Sequence, residues 1–263
     1  MQPTTEKTAD LTGKTAIVTG GNSGIGEAIV KALAAAGAAV VIDYVARPGD
    51  TADIVKDITS AGGRALGVEA DASTTAGIDA LIAAAVDTYG RLDVFVNNAG
   101  IETRQSLLEI DEKSFDEVMA VNLKSAVFGT QRAAKRFIQQ GSGGIVVNIS
   151  SVHEDWPMPG NFSYCVSKGG MRMLTRTAGV ELGPQGVRVV NVAPGAVNTP
   201  INAQTMKDDA QRQKLEDAIP LRAVADPSEI GGVVAFIASD AAKYLTATTV
   251  FVDGGIMQGS VGL

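Results

Sequence analysis

The chain has 263 residues, 45% of them hydrophobic and 19% charged, with a formal net charge of −7, enough length for one domain around a substantial core. That acidity argues against a sequence-independent grip on nucleic-acid phosphates or anionic lipid, although small anions can still bind at helix N-termini. One cysteine, Cys165, and one histidine, His153, exclude an intrachain disulfide and any metal site built from thiolates or several imidazoles.

The opening segment, MQPTTEKTADLTGK, lacks the apolar core of a signal peptide, and no stretch approaches a membrane span. A cytoplasmic, reduced protein is the expectation. Short β-branched runs then recur along the chain: TAIVTG, AAVVIDY, ALGVEA, LDVFVN, GIVVNIS, VRVVNVA and TTVFVDG. They lack strict apolar–polar alternation, as expected of parallel strands buried on both faces. Alanine-rich helical segments such as GEAIVKALAAAGA and TTAGIDALIAAAVDTYG lie between them. The alternation predicts an α/β fold, a doubly wound parallel sheet flanked by helices, in a single domain over 1–263. Residues 196–226 break the rhythm with a long polar excursion after the sixth strand, where open α/β sheets bind ligands, and are read as a substrate lid.

The first strand runs into TGGNSGIGEAI, with Gly20, Gly24 and Gly26 in a G-x-x-x-G-x-G pattern. Glycines there permit a tight turn and bring backbone N–H groups close to a pyrophosphate; a turn that merely needs positive φ would read the same way. Asp71 follows the third strand, NNAG at 97–100 closes the fourth, and Pro194 and Gly195 close the sixth. Each alone is compatible with a cap or a turn. Together on one sheet edge they describe a dinucleotide groove. In SYCVSKGG, Tyr164 and Lys168 stand four residues apart and so share a helix face.

TGGNSGIG, NNAG, Asn122, Ser151 and the Tyr164-x-x-x-Lys168 pair resemble the short-chain dehydrogenase/reductase family, over roughly residues 10–255. The resemblance implies a Rossmann-type sheet of seven strands, NAD or NADP as cofactor, and a homotetramer acting on a small molecule. Asn122, Ser151, Tyr164 and Lys168 are then the catalytic set, with Ser151 preferred over Ser150 by the family's spacing to the tyrosine. Tyr164 is the proton-transfer group, its phenol lowered by the Lys168 ammonium. Ser151 binds the substrate oxygen, and Asn122 holds a water beside Lys168, which also bonds the nicotinamide ribose. Cofactor contacts are expected from Gly20, Asn22, Ser23, Gly24, Ile25 and Gly26 in the first turn. Others are expected from Asp71 and Ala72, from Asn98, Ala99 and Gly100, and from Pro194, Gly195, Val197 and Thr199.

SSVHE, GIE and GAVNTPINA further resemble the glucose 1-dehydrogenase branch of that family. There the matching residues contact the sugar, which implies a substrate site of Glu102, His153 and Asn202 with Ser151 and Tyr164. DWPMPGNF at 155–162 and the tail IMQGSVGL depart from the branch. A 3-oxoacyl thioester or ketone reductase is the alternative. In VVIDYVARPGD, Tyr44 stands where NAD-preferring relatives carry an acid. Asp43, one residue earlier, is expected to point to the other side of the strand, and Arg47 could pair with a 2′-phosphate. The expectation is therefore NADP, with dual use open. Gly169 and Gly170 in the Tyr164 helix imply either close packing on a neighbouring subunit or a tolerated local flaw.

Overall fold

A computed structural model describes residues 9–202 and 206–259. The apolar runs form β1 (Thr15–Val18), β2 (Ala39–Tyr44), β3 (Arg64–Glu69), β4 (Val94–Asn97), β5 (Gly144–Ile149), β6 (Val187–Pro194) and β7 (Thr248–Val252). They pair in parallel in the order β3-β2-β1-β4-β5-β6-β7. The helices are α1 (Gly24–Ala35), α2 (Pro48–Ser60), α3 (Thr75–Tyr89), α4 (Glu112–Met119), α5 (Ser125–Gln140), α6 (Phe162–Leu182), α7 (Asp209–Ala218) and α8 (Pro227–Ala238). The expected Rossmann-type seven-stranded fold is what the chain forms.

Side-chain alternation along each buried strand feeds two cores. Val18, Ile42, Val96 and Val147 join Ile29 and Leu33 of α1, Ile54 of α2 and Val234 of α8 on one face. Ile17, Val41, Phe95 and Val146 join Leu81 of α3, Phe137 of α5 and Ala178 of α6 on the other. Apolar residues are thus needed at consecutive strand positions, which is why the runs read as continuous. Helix ends follow local chemistry. Thr74 caps α3 by accepting from the Gly77 N–H, and Gly90 ends it in the left-handed region. Asp226 and Glu229 form a reciprocal capping box on α8, with Pro227 in its first turn.

Strand order reverses between β1 and β4, so the turns after these two strands face each other across a crevice at the sheet's carboxyl edge. The polar excursion after β6 is closed at its neck. Asn198 donates to the Ala225 carbonyl at 2.9 Å, and Ala225 donates to the Ala196 carbonyl at 3.0 Å. Between these points lie a 3₁₀ turn at Pro200–Asn202 and α7, with 203–205 of the expected lid, like 260–263 of the tail, outside the described residues. Gly170 is explained within its own chain: a β-carbon there would lie 2.6 Å from the Leu123 side chain. The expected choice between a subunit contact and a flaw is replaced, at Gly170, by intramolecular packing. A β-carbon on Gly169 would have only the Glu154 carbonyl nearby, at 3.8 Å.

Candidate active site

The crevice is a cavity of about 510 Å³ whose floor is the turn after β1. Gly20 and Gly24 adopt φ of 59° and 53°, a region costly for residues with a β-carbon. Gly26 is constrained differently, since a β-carbon would stand 2.2 Å from the Gly20 carbonyl oxygen and 2.6 Å from Asn98 Nδ2. Asn98 donates to the carbonyls of Thr19 and Gly20 at 2.9 and 3.1 Å, tying NNAG to the glycine turn. The wall includes Asn22, Ser23, Ile25, Tyr44, Arg47, Asp71, Ala72, Ala99 and Gly100, and Thr199 and Pro200 close over it from the excursion. Pro194, Gly195 and Val197, expected among the cofactor contacts, do not line the cavity; Val197 is buried and Gly195 packs on the Asp253 backbone.

Asp43 departs from its expected orientation. Its Oδ2 accepts from the Gly20 N–H at 3.0 Å and the residue lines the cavity beside Tyr44. Both residues stand at the end of β2, where the strand opens onto the crevice, so Asp43 is not turned away from it. Asp43 Oδ1 is buried without a hydrogen-bond partner. Burial pushes this carboxyl up to about 7, against the pull of the Gly20 N–H and helped by the nearby Asp71 charge. A buried acceptor left open in the cavity, and a glycine turn with no room for a β-carbon, suit a dinucleotide carrying hydroxyls and a pyrophosphate. Arg47 stands at the rim with φ of 57° and pairs with Asp50 at 3.3 Å. Asp71 Oδ1 accepts from the Ser73 N–H at 2.9 Å, so this residue shapes its own turn while facing the cavity.

At the cavity's inner end, Tyr164 and Lys168 do share a face of α6. The ammonium lies 5.5 Å from the phenol ring centre and donates to the Ile149 carbonyl at 2.8 Å. Ser151 hydrogen-bonds to the phenol and accepts from the His153 N–H at 3.1 Å. The phenol's acidity is opposite to expectation: desolvation pushes it up to about 12, Ser151 pulls it back, and the Glu102 charge raises it further. The reason is burial, which removes the water that would stabilise a phenolate. Burial also brings Lys168 down to about 8, opposed by the charge of Glu154.

Asn122 is fully buried in a π-helical turn, Ala120–Lys124, between α4 and α5; such turns interrupt helices at functional sites. Its amide brackets Ile101, accepting from its N–H at 2.8 Å and donating to its carbonyl at 2.9 Å, and also donates to Ser167 at 3.1 Å. This clamp places the next residue, Glu102, whose carboxylate accepts from Asn161 at 3.0 Å and pairs with Arg104 at 3.3 Å. His153 lies edge-on to Tyr164 with ring centres 6.3 Å apart, stacks on Trp156, and contacts the Trp156 carbonyl through Nδ1. Glu102 and His153 therefore flank Tyr164. Asn202 does not join them: its amide turns back to donate to the Val197 carbonyl at 2.8 Å. Sequence reasoning singled out neither Asn161 nor Glu154, although Glu154 closes SSVHE; each is recognisable by what it touches.

Residues 20–257 match the family model described as Enoyl-(Acyl carrier protein) reductase. The chain is 42% identical over 250 residues to a 3beta-hydroxysteroid dehydrogenase of Eggerthella lenta, covering 94% of this chain and 95% of that one. It is 38% identical over 248 residues to glucose 1-dehydrogenase 2 of Bacillus subtilis, covering 94% and 96%. A solved candidate 2-deoxy-d-gluconate 3-dehydrogenase from Agrobacterium tumefaciens, with bound NADP, superimposes with a TM-score of 0.87 at 34% identity, covering 96% of this chain and all of the other. Among the described residues, no helix is long and apolar enough to cross a membrane, and no group of three or more potential metal ligands occurs. A glycine turn facing NNAG across the sheet's reversal, with a tyrosine and a lysine on one face of α6, belongs with these relatives: the chain is a member of the short-chain dehydrogenase/reductase family, an oxidoreductase of dehydrogenase type that uses NAD(P).

Proposed function

We propose that the protein oxidises β-D-glucose or a similar sugar at the anomeric carbon, giving the lactone. The observation that carries this reading is the convergence of Glu102 and His153 on Tyr164 from two separate loops. A polyol needs donors and acceptors arranged around its reacting hydroxyl, and a carboxylate and an imidazole beside the phenol supply them. The relative named glucose 1-dehydrogenase 2 supports the same reading.

A bound nicotinamide dinucleotide would supply the hydride acceptor and, when oxidised, a positive charge that favours the phenolate. Ser151 holds the substrate hydroxyl by a hydrogen bond. Tyr164, as phenolate, takes the hydroxyl proton while the C–H electron pair leaves as hydride, so the carbonyl forms as the proton and hydride depart. In the reverse direction the protonated phenol returns the proton. Lys168 provides the adjacent positive charge, and Asn122 keeps the Glu102 loop in place through Ile101. Thr199 and Pro200, facing the glycine turn, carry the lid role proposed for 196–226.

For the cofactor we propose dual use. Arg47 at the rim favours the 2′-phosphate of NADP, and the NADP-bound relative supports it; the open Asp43 Oδ1 suits the ribose diol of NAD. Exposed Val127 on α5 and Met173 and Val180 on α6 support the proposed homotetramer.

A second reading, a ketone or 3-oxoacyl thioester reductase, is favoured by exposed Leu107 and Leu108 on the loop after Glu102 and by the relative named for a steroid. Initial rates at 340 nm with aldoses, ketones and both dinucleotides decide between them. Glucose-dependent reduction of either dinucleotide is the expected result. Silence with every sugar, together with ketone-dependent oxidation of NADPH, overturns the sugar reading.

A further inference from the structure

Glu154 is a buried carboxylate in the turn Val152–Glu154 that follows Ser151, with its side chain wholly shielded from solvent. Burying a charge is costly unless every lone pair finds a donor. Here each does. Oε2 accepts from the Ser150 hydroxyl at 2.5 Å and from the Asn191 amide at 2.9 Å. Oε1 accepts from the Thr249 hydroxyl at 2.7 Å, with Arg172 Nε at 3.8 Å. The donors come from β5's end, β6 and β7, so one residue ties three strands to the turn carrying Ser151 and His153.

The link extends further. Asn191 accepts from Thr175, which accepts from Asn148, which accepts from Asn97 on β4 at 2.7 Å. A continuous buried polar chain therefore crosses the sheet beneath the reacting groups and ends on Glu154. Such networks specify geometry when fully satisfied. Arg172, the nearest cation, is engaged mainly elsewhere, in an ion pair with Asp155. The turn also packs on α6 beside Lys168, since the Glu154 carbonyl lies 3.8 Å from where a β-carbon on the next residue, Gly169, would stand.

We propose that Glu154 is a positioning residue for hydride transfer: it anchors the Ser150–Ser151 segment and stands as the buried counter-charge of Lys168. The inference rests on the reading of Ser151, Tyr164 and Lys168 as the reacting cluster. The charged and titratable groups around that cluster are His153, Glu154 and Asp155 on the turn after β5, Glu102 on the loop after β4, and Cys165, Arg172 and Tyr164 itself on α6. Of these, Glu154 is the anion that acts on the lysine, which burial otherwise drives toward its neutral form. Keeping Lys168 charged keeps a cation beside the phenol from which the proton must leave.

Lys168 can be followed without substrate by NMR of protein labelled with ¹³C at the lysine Cε, assigned with K168R. Its midpoint near 8 is expected to fall by about one unit in E154Q and to stay in place in E154D. Turnover in E154Q is expected to drop about twofold at pH 7 and about tenfold at pH 9, the loss of charged lysine that a shift of roughly one pK unit produces, and to recover in part in E154D. An unmoved Lys168 midpoint in folded E154Q overturns the proposal. Should E154Q fail to fold with dinucleotide present, E154D decides the matter, since displacement of the midpoint in that charge-retaining variant also overturns it. A wild type inactive with every sugar would refute the sugar reading while leaving this titration intact.

Discussion

Two glycines inside helices make a matched test of why the turn after β1 has its composition. In G26A the new β-carbon meets the Gly20 carbonyl oxygen at 2.2 Å, well under the 3.0 Å that such contacts keep, and Asn98 Nδ2 at 2.6 Å. The obstacle is backbone, so the turn itself must move by the better part of an ångström and the Asn98-to-Gly20 hydrogen bond is strained. Overpacking of this kind costs about 1–3 kcal/mol, which lowers Tm by roughly 2–12 °C for a chain of this size. Gly232 in α8 is the control, because a β-carbon there meets nothing within 4 Å. Replacing a helical glycine with alanine stabilises by about 0.5–1 kcal/mol, so G232A should raise Tm by roughly 1–4 °C. Thermal unfolding with and without NADP measures both. G26A should also lose most of the cofactor-induced stabilisation, because a displaced turn no longer presents its N–H groups. Equal Tm values for the two variants, or a native-like NADP response in G26A, would refute the steric account.

Three further outcomes are expected. Tyr164→Phe should nearly abolish turnover while leaving the dinucleotide dissociation constant within about twofold, as removal of a proton-transfer group alone requires; near-native turnover would rule out Tyr164 as the acid–base group. Arg47→Ala should weaken NADP relative to NAD by about three- to tenfold, since an exposed ionic contact is worth about 1 kcal/mol; titration of each dinucleotide checks this. Asp43 titrates near 7 when folded against 3.8 as an ordinary carboxyl, so the folded state binds the extra proton between those values. Its contribution to stability is present below pH 3.8 and lost as pH rises through about 7. Asp43→Asn should accordingly gain stability over wild type at pH 8 and little at pH 4, and a gain equal at both would contradict the buried-carboxyl account.

The sheet was legible because burial on both faces leaves a continuous apolar run at each of the seven strands, and the crevice because glycines and asparagines cluster at strand ends. Tyr164 and Lys168 were legible because a helix turns spacing into a shared face. The orientation of Asp43 was not, since alternation describes strand interiors and this residue stands at the edge. Nor was the raised phenol, which depends on how far the folded chain takes it out of water. Asn202 satisfies its amide locally at Val197, and nothing in TPIN distinguishes an amide that reaches a ligand from one that caps its own loop. Asn122 read as a helix residue because π-helical turns have no sequence signature separate from the α-helices they interrupt.

The stack of His153 on Trp156 has an optical consequence. The chain contains one tryptophan, and its indole lies in the turn after Ser151, with ring centres 6.4 Å from the imidazole that borders Tyr164. All indole emission from the protein therefore originates beside the candidate site, unmixed with signal from the distant cores. Ligand arrival next to Tyr164 should be readable from the native protein's fluorescence in real time, with no label, coupling enzyme or turnover required.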